Sequence, residues 1–152
     1  MKMRLIMSVI IILALVAVFA WGITADVVLQ ETLVTKIIDG DTFIIEGGEH
    51  VRMLGMDTDE KGYPCWAAAK DELERLVLNK RVLLETDSED KDQYGRLLRW
   101  VWLNETLVNF ELVRSGLAVA RFDSDAKYKE EITSAEHEAI TNRIGCKWSS
   151  LK

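Results

Sequence analysis

The chain has 152 residues, 49% of them apolar, and carries a formal charge of −6 at pH 7. That length suits one domain with a real core. The acidic balance excludes a protein that grips nucleic acid through its overall field, which is normally basic, but leaves room for an enzyme whose cations are local to its site. Lys2 and Arg4 stand ahead of Leu5 to Ala25, a block without a charged side chain, of which Leu5 to Ile23 is nineteen residues long. About 20 apolar residues span a bilayer as a helix. A basic start followed by such a block reads as a secretory signal or as a retained membrane anchor, with a buried helix of the folded domain as a third reading. Residues 1–25 are therefore assigned to a signal peptide or membrane anchor, and 26–152 to the domain. The implied location is secreted, or anchored through residues 5–25 on the outer face of the cytoplasmic membrane. The leader takes away Lys2 and Arg4 and no acid, so seventeen Lys and Arg face twenty-five Asp and Glu in the domain, a charge of −8.

Past the leader, Val27 to Ile38 is rich in β-branched and apolar residues, and Asp39-Gly40-Asp41 turns it, with the glycine free to take positive φ. Thr42 to Glu46 continues as a second strand, Gly47-Gly48-Glu49 is a hairpin turn signal, and His50 to Met56 is the third strand. Trp66, Ala69, Leu73, Leu76 and Val77 recur at helical spacing, with Pro64 just ahead of them where a missing N–H costs least. Arg81 to Thr86 reads as a fourth strand. Asp87 to Gln93 lacks an apolar anchor and reads as an exposed loop. Leu97 to Leu103 is a fifth strand with Trp100 and Trp102 on one face, as barrel packing. Val108, Leu112 and Val113 mark a second helix stopped at Gly116, and Tyr128, Ile132, Ala135 and Ala139 a third within Ala126 to Arg143. Five strands joined largely by short turns, with three helices, predict a small antiparallel barrel or sandwich.

Two clusters of hard oxygen ligands, Asp39-Gly40-Asp41-Thr42 and Asp57-Thr58-Asp59-Glu60, lie at the edges of these strands, with Arg52 between them at the start of an apolar run. Paired strands would bring the clusters together around one cation, and Ca²⁺ takes several oxygen ligands at about 2.3–2.6 Å. Taken singly, each residue has a plainer reading: Asp39 and Asp41 as turn formers, Arg52 as an edge-strand charge, Glu60 as a solvated carboxylate. Cys65 and Cys146, the only cysteines, read either as a disulfide in an oxidising compartment or as two separate thiols. Zinc-finger spacing is absent, since neither cysteine has a close second and His50 and His137 are isolated.

Taken in order, four blocks resemble the staphylococcal nuclease (thermonuclease) family. They are Asp39-Gly40-Asp41-Thr42; Arg52-x-x-Gly-x-Asp57-Thr58-x-Glu60; Asp92-x-Tyr94-Gly95-Arg96; and Val108-Asn109-x-x-Leu112-Val113-x-x-Gly116-Leu117-Ala118. The resemblance covers roughly Leu33 to Trp148. It implies an α+β, mainly β, fold: an OB-type five-stranded antiparallel barrel with three helices. It also implies Ca²⁺-dependent hydrolysis of phosphodiester bonds in DNA and RNA, preferably single-stranded, with 3′-phosphate products, by a monomer. By the same resemblance Asp41, Asp57 and the Thr58 carbonyl would hold Ca²⁺. Glu60 would be the general base, Arg52 and Arg96 would contact the scissile phosphate, and Tyr94 would sit near the nucleotide's terminal phosphate.

Three positions depart from the family's pattern. Asp59 stands where a proline is usual, placing a second negative charge beside Glu60; Gln93 replaces a lysine; and the nearest aromatic after Gly116-Leu117-Ala118 is Phe122 rather than a tyrosine. The alternative from another class is an OB-type module outside the cell that binds nucleic acid or protein without cutting. Such a module has no need of both arginines, both aspartates and the glutamate together.

Overall fold

The computed structural model describes residues 29–122 and 127–149. The leader, with its readings as signal or anchor, lies outside them; among the described residues no helix is long and apolar enough to cross a membrane. In chain order the elements are β1 (Leu29–Asp39), β2 (Thr42–Ile45), β3 (His50–Met53), β4 (Met56–Thr58), α1 (Trp66–Val77), β5 (Arg81–Glu85), β6 (Leu97–Leu103), β7 (Thr106–Leu107), α2 (Val108–Arg114), β8 (Ala118–Ala120), α3 (Lys129–Thr141) and the single turn α4 (Gly145–Trp148).

The long β1 serves two partners. Leu29 to Leu33 pair with β5, while Val34 to Asp39 pair with β2. Irregularities in the β2 register between Val34 and Lys36 and between Ile37 and Asp39 let the strand bend from one partner to the other. β2 pairs with β3, β5 with β6, and β3 with β6, which closes a five-stranded barrel. The closing pair is parallel, with Val51 opposite Leu97 and Met53 opposite Arg99. The expectation of a wholly antiparallel barrel is therefore corrected to a mixed one. A parallel pair needs a long crossover, and the stretch from β3 to β6, carrying α1 and β5, supplies it.

The expected third strand, His50 to Met56, breaks in two. At Gly55, φ is +70°, and a Cβ there would lie 2.5 Å from the Trp100 ring. The chain turns under that indole, and β4 leaves the barrel to pair with β8, Asp57 opposite Val119. Gly40 corrects a second expectation. It does not take positive φ; it is needed because a Cβ would meet the Ala69 side chain at 2.6 Å. The tip of the β1–β2 turn therefore packs directly on α1.

Trp100, Phe43, Met53, Leu73, Leu84 and Leu112 are fully buried and form the centre of the core. Each such side chain contributes about 1.5–3 kcal/mol by leaving water. α1 buries Ala69, Leu73 and Val77, one face at four-residue spacing. α3 buries Ile132, Ala135 and Ala139, and the rings of Trp100 and Trp102 both meet Tyr128 edge-on. Asn109, fully buried on α2, accepts from the Val101 N–H through its Oδ1 (2.9 Å) and donates from Nδ2 to the Leu54 carbonyl (2.8 Å). One amide thus locks α2, β6 and the β3–β4 turn together.

The stretch from Asp87 to Gln93 is a loop, as expected, yet it is anchored. Its fastenings are polar. The Trp100 indole donates to Asp87 Oδ2 (2.8 Å), and the buried Arg99 reaches Asp90 Oδ1 (2.6 Å) and the Asp90 carbonyl (3.0 Å). Both donors come from β6, so the loop is fixed to the barrel wall that also carries the closing pair.

Candidate active site

The β2–β3 register sets Thr42 opposite Arg52, and the Met53 N–H donates to the Asp41 carbonyl (2.9 Å), so Arg52 emerges beside Asp41. The turn at Gly55 then brings β4 back along the same side. Arg52 pairs through Nη1 with Asp41 Oδ1 and through Nη2 with Asp57 Oδ1 (2.6 Å), and Nη2 also donates to the Met56 carbonyl (3.3 Å). One planar guanidinium thus spans two carboxylates from two strands, a task for arginine rather than lysine. Asp41 is buried and further held: Thr58 donates to its Oδ2 through N–H (3.1 Å) and Oγ1 (2.8 Å), and Thr42 Oγ1 to its Oδ1 (2.9 Å).

A cleft of about 540 Å³ opens in front of this group, lined by Arg52, Asp57, Glu60, Tyr94 and Arg96 among others. Asp41 and Thr58 stand behind it, joined to it through Arg52 and Asp57. Glu60 lies exposed in the turn between β4 and α1, and no side chain among the described residues pairs with its carboxylate. Arg96 joins the lining from the loop ahead of β6. Its Nε donates to Asp92 Oδ2 (2.7 Å) while Asp92 Oδ1 accepts from the N–H groups of Tyr94 (2.9 Å) and Arg96 (3.0 Å), and its guanidinium lies 5.5 Å from the Tyr94 ring centre. Asp92 shapes this turn. Its place at the head of the third block was a signal for that role, which a reading of the block for chemistry passed over.

Residues 50–150 match the family profile described as "Staphylococcal nuclease homologue". The chain belongs to the staphylococcal nuclease family. It is 38% identical over 131 residues to the thermonuclease of Staphylococcus intermedius, covering 80% of this chain and 78% of that one. It is also 38% identical over 120 residues to the thermonuclease of Staphylococcus hyicus, covering 72% and 71%. Endonuclease YncB of Bacillus subtilis is 32% identical over 126 residues, covering 75% of this chain and 59% of its own.

Set among staphylococcal nuclease relatives, one departure at this site, Asp59, acquires a physical role. Asp59 has partners of its own. Its Oδ1 is ion-paired with Lys147, and its Oδ2 accepts the Cys65 N–H (3.0 Å) at the start of α1. Its charge is spent on fastening α4 and α1 to the turn that carries Glu60. Next to this tie Cys65 and Cys146 are disulfide-bonded, Cα atoms 5.6 Å apart, which decides between the two readings of the cysteines. Asp39 is not paired with Arg52; it accepts from the Trp66 indole (2.8 Å). Arg121, just past β8, was not singled out by any motif, yet it lines the cleft and pairs with Asp57 Oδ2 at 3.0 Å.

Among the described residues no three Asp, Glu, His or Cys side chains converge as a metal site. What the cluster offers a cation is two carboxylates, Asp41 and Asp57, already drawn to one positive group, with the Met56 carbonyl beside them. These are hard oxygen donors, and they fit an ion of the Ca²⁺ kind rather than one that seeks nitrogen or sulfur.

The same carboxylates set an acid limit on stability. Burial pushes the Asp41 carboxyl up, but the Arg52 charge and the bonds from Arg52, Thr58 and Thr42 outweigh it, and the net direction is down. The Lys147 bond lowers Asp59. Burial also opposes the fall at Asp92, where Arg96 prevails. A carboxylate depressed on folding stabilises the fold fully above its unfolded value, near pH 4, and loses that contribution as pH falls through its lower folded value. The stability gap between the wild type and Asp41→Asn, measured by urea melts, is therefore expected to be constant above about pH 5 and to shrink from about pH 4 downward. A gap that widens on acidification would reverse the assignment.

Proposed function

We infer that the chain is a nuclease, hydrolysing phosphodiester bonds of DNA and RNA in a Ca²⁺-dependent reaction that leaves 3′-phosphate products. The observation that carries this reading is that Arg52, Arg96, Glu60 and Asp57 line one cleft. Phosphodiester hydrolysis needs cations to meet the charge that builds on the phosphorane oxygens, and a base to take the proton of the attacking water. Arg52 and Arg96 stay protonated at any working pH and pair the non-bridging oxygens. Glu60, exposed in the cleft with its carboxylate unengaged among the described residues, accepts the proton. Tyr94, beside Arg96, packs near the terminal phosphate of the nucleotide. A 3′-phosphate product means that the phosphorus–5′-oxygen bond breaks, with the electron pair leaving on the 5′-oxygen.

Asp41, Asp57 and the Thr58 carbonyl would hold the Ca²⁺, whose chemistry here is Lewis acidity toward the phosphate and its water. The Cys65–Cys146 disulfide supports an oxidising compartment, and with it the reading of the chain as secreted or anchored on the outer face of the membrane. Single-stranded substrate is preferred and the protein acts as a monomer.

The test is cleavage of single-stranded DNA by the full-length chain in detergent, with Ca²⁺ and then with EGTA, beside Glu60→Gln. Cleavage that needs Ca²⁺ and falls about 100-fold in the variant is the expected result. A folded protein that binds the strand in Ca²⁺ and leaves it intact would point to the non-catalytic module.

A further inference from the structure

Arg121 has no part in the mechanism above, yet its placement is specific. Its backbone is fixed: β8 is paired with β4 up to Ala120, and the Arg121 N–H donates to the Gly55 carbonyl (3.1 Å). Its head is not. The guanidinium side chain is 63% exposed and holds Asp57 Oδ2 by one contact of 3.0 Å, and a pair of that exposure binds weakly. The other oxygen of the same carboxylate belongs to Arg52, whose side chain is 18% exposed and held twice. Asp57 thus stands between a fixed cation behind it and a movable one at the mouth of the cleft.

The cleft is itself short of free positive charge. Five of its lining side chains are carboxylates, and Arg96 is engaged by Asp92. Lys91, also in the lining, is turned to Glu49 at 3.6 Å, outside the cleft's own carboxylates. Of the three arginines that line the cleft, Arg121 is the most exposed and has the least to give up to a polyanionic strand. Resting on the nuclease reading, we propose that Arg121 is a substrate-binding residue: it leaves Asp57 for a phosphate of the bound strand, and so frees Asp57 Oδ2 on the side facing the cleft. The substrate's phosphodiester and the carboxylate compete for one guanidinium, so the residue contributes to strand binding rather than to bond breaking. Its planar fork suits either partner, since both present two oxygens.

The test separates strand binding from chemistry. Steady-state cleavage of a single-stranded oligonucleotide is measured for the full-length wild type, Arg121→Gln, Arg121→Lys, and Arg114→Gln as a distant exposed arginine. Binding of the same oligonucleotide is measured against salt in the Glu60→Gln background. Arg121→Gln is expected to raise KM about tenfold with kcat within about threefold, and to reduce the slope of log K against log salt by about 0.7, the share of one phosphate on a single strand. Arg121→Lys keeps the slope, and Arg114→Gln changes neither quantity. An unchanged slope in Arg121→Gln, or a fall in kcat at constant KM, overturns the proposal and leaves Arg121 as a holder of Asp57. If the wild type binds the strand without cutting it, the nuclease reading fails while the slope still judges Arg121.

Discussion

Arg52→Gln is expected to lower kcat by about 10³-fold or more, the scale seen when a cation or donor aimed at developing phosphoryl charge is lost. The effect on stability is a separate matter. Among the described residues Arg52 is the only side-chain cation paired with Asp41, a residue 4% exposed, so the variant strands a buried negative charge. Breaking a fully buried pair costs about 3–5 kcal/mol. Arg52 keeps part of its surface in the cleft, so about 2–3 kcal/mol is expected here. The two losses can be pulled apart with Arg52→Gln/Asp41→Asn, in which the stranded charge is gone. Urea midpoints should recover in the double variant while kcat stays at least as low as in the single one, Asp41 being itself a proposed Ca²⁺ ligand. Recovery of activity together with stability would mean that Arg52 serves only as a strut for Asp41.

The second large effect concerns the covalent tie. Replacing both Cys65 and Cys146 by serine is expected to remove about 4 kcal/mol of stability, because the bond joins residues 81 positions apart and restrains most of the unfolded domain. The measurement is the urea midpoint of wild type and variant, with the wild type repeated in reductant. Reduced wild type and variant should coincide. An unchanged midpoint would place the stabilisation elsewhere, in the Asp59–Lys147 pair that lies alongside. Since both ties end on the turn carrying Glu60, the folded variant should also lose a few-fold in kcat, by looser placement of the proposed base.

Legibility followed the reach of each interaction. Strand and helix positions rest on local period, and β1, β2, β5, β6, α1 and α3 lie within a few residues of where alternation and helical spacing put them. The parallel β3–β6 pair was not legible, because nothing in Val51–Met53 names a partner more than forty residues away. Gly40 drew attention as a turn former, but the reason for it is Ala69 on α1, a contact between distant segments. In the site, Arg52, Asp57, Glu60, Tyr94 and Arg96 stand out by motif and do line one cleft. Arg121 did not stand out, since a lone arginine after Ala118-Val119-Ala120 carries no pattern, and only the β4–β8 pairing brings it to Asp57. Asp59 stood out as a second negative charge beside Glu60, but its partner Lys147 lies at the far end of the domain, and no local pattern joins the two.

The two late pairings also dictate an order of assembly. β3 finds its second neighbour only in β6, and β4 finds its only neighbour among the described strands in β8. A nascent chain released to Thr86 therefore has Arg52 on an open sheet edge and Asp57 on a strand without a partner. Until Ala118 to Arg121 have emerged, the carboxylates and arginines are present in the polypeptide but no cleft exists to align them. The cleft is thus completed only once β8 is available, and a prematurely ended chain would expose unpaired strand edges in its place.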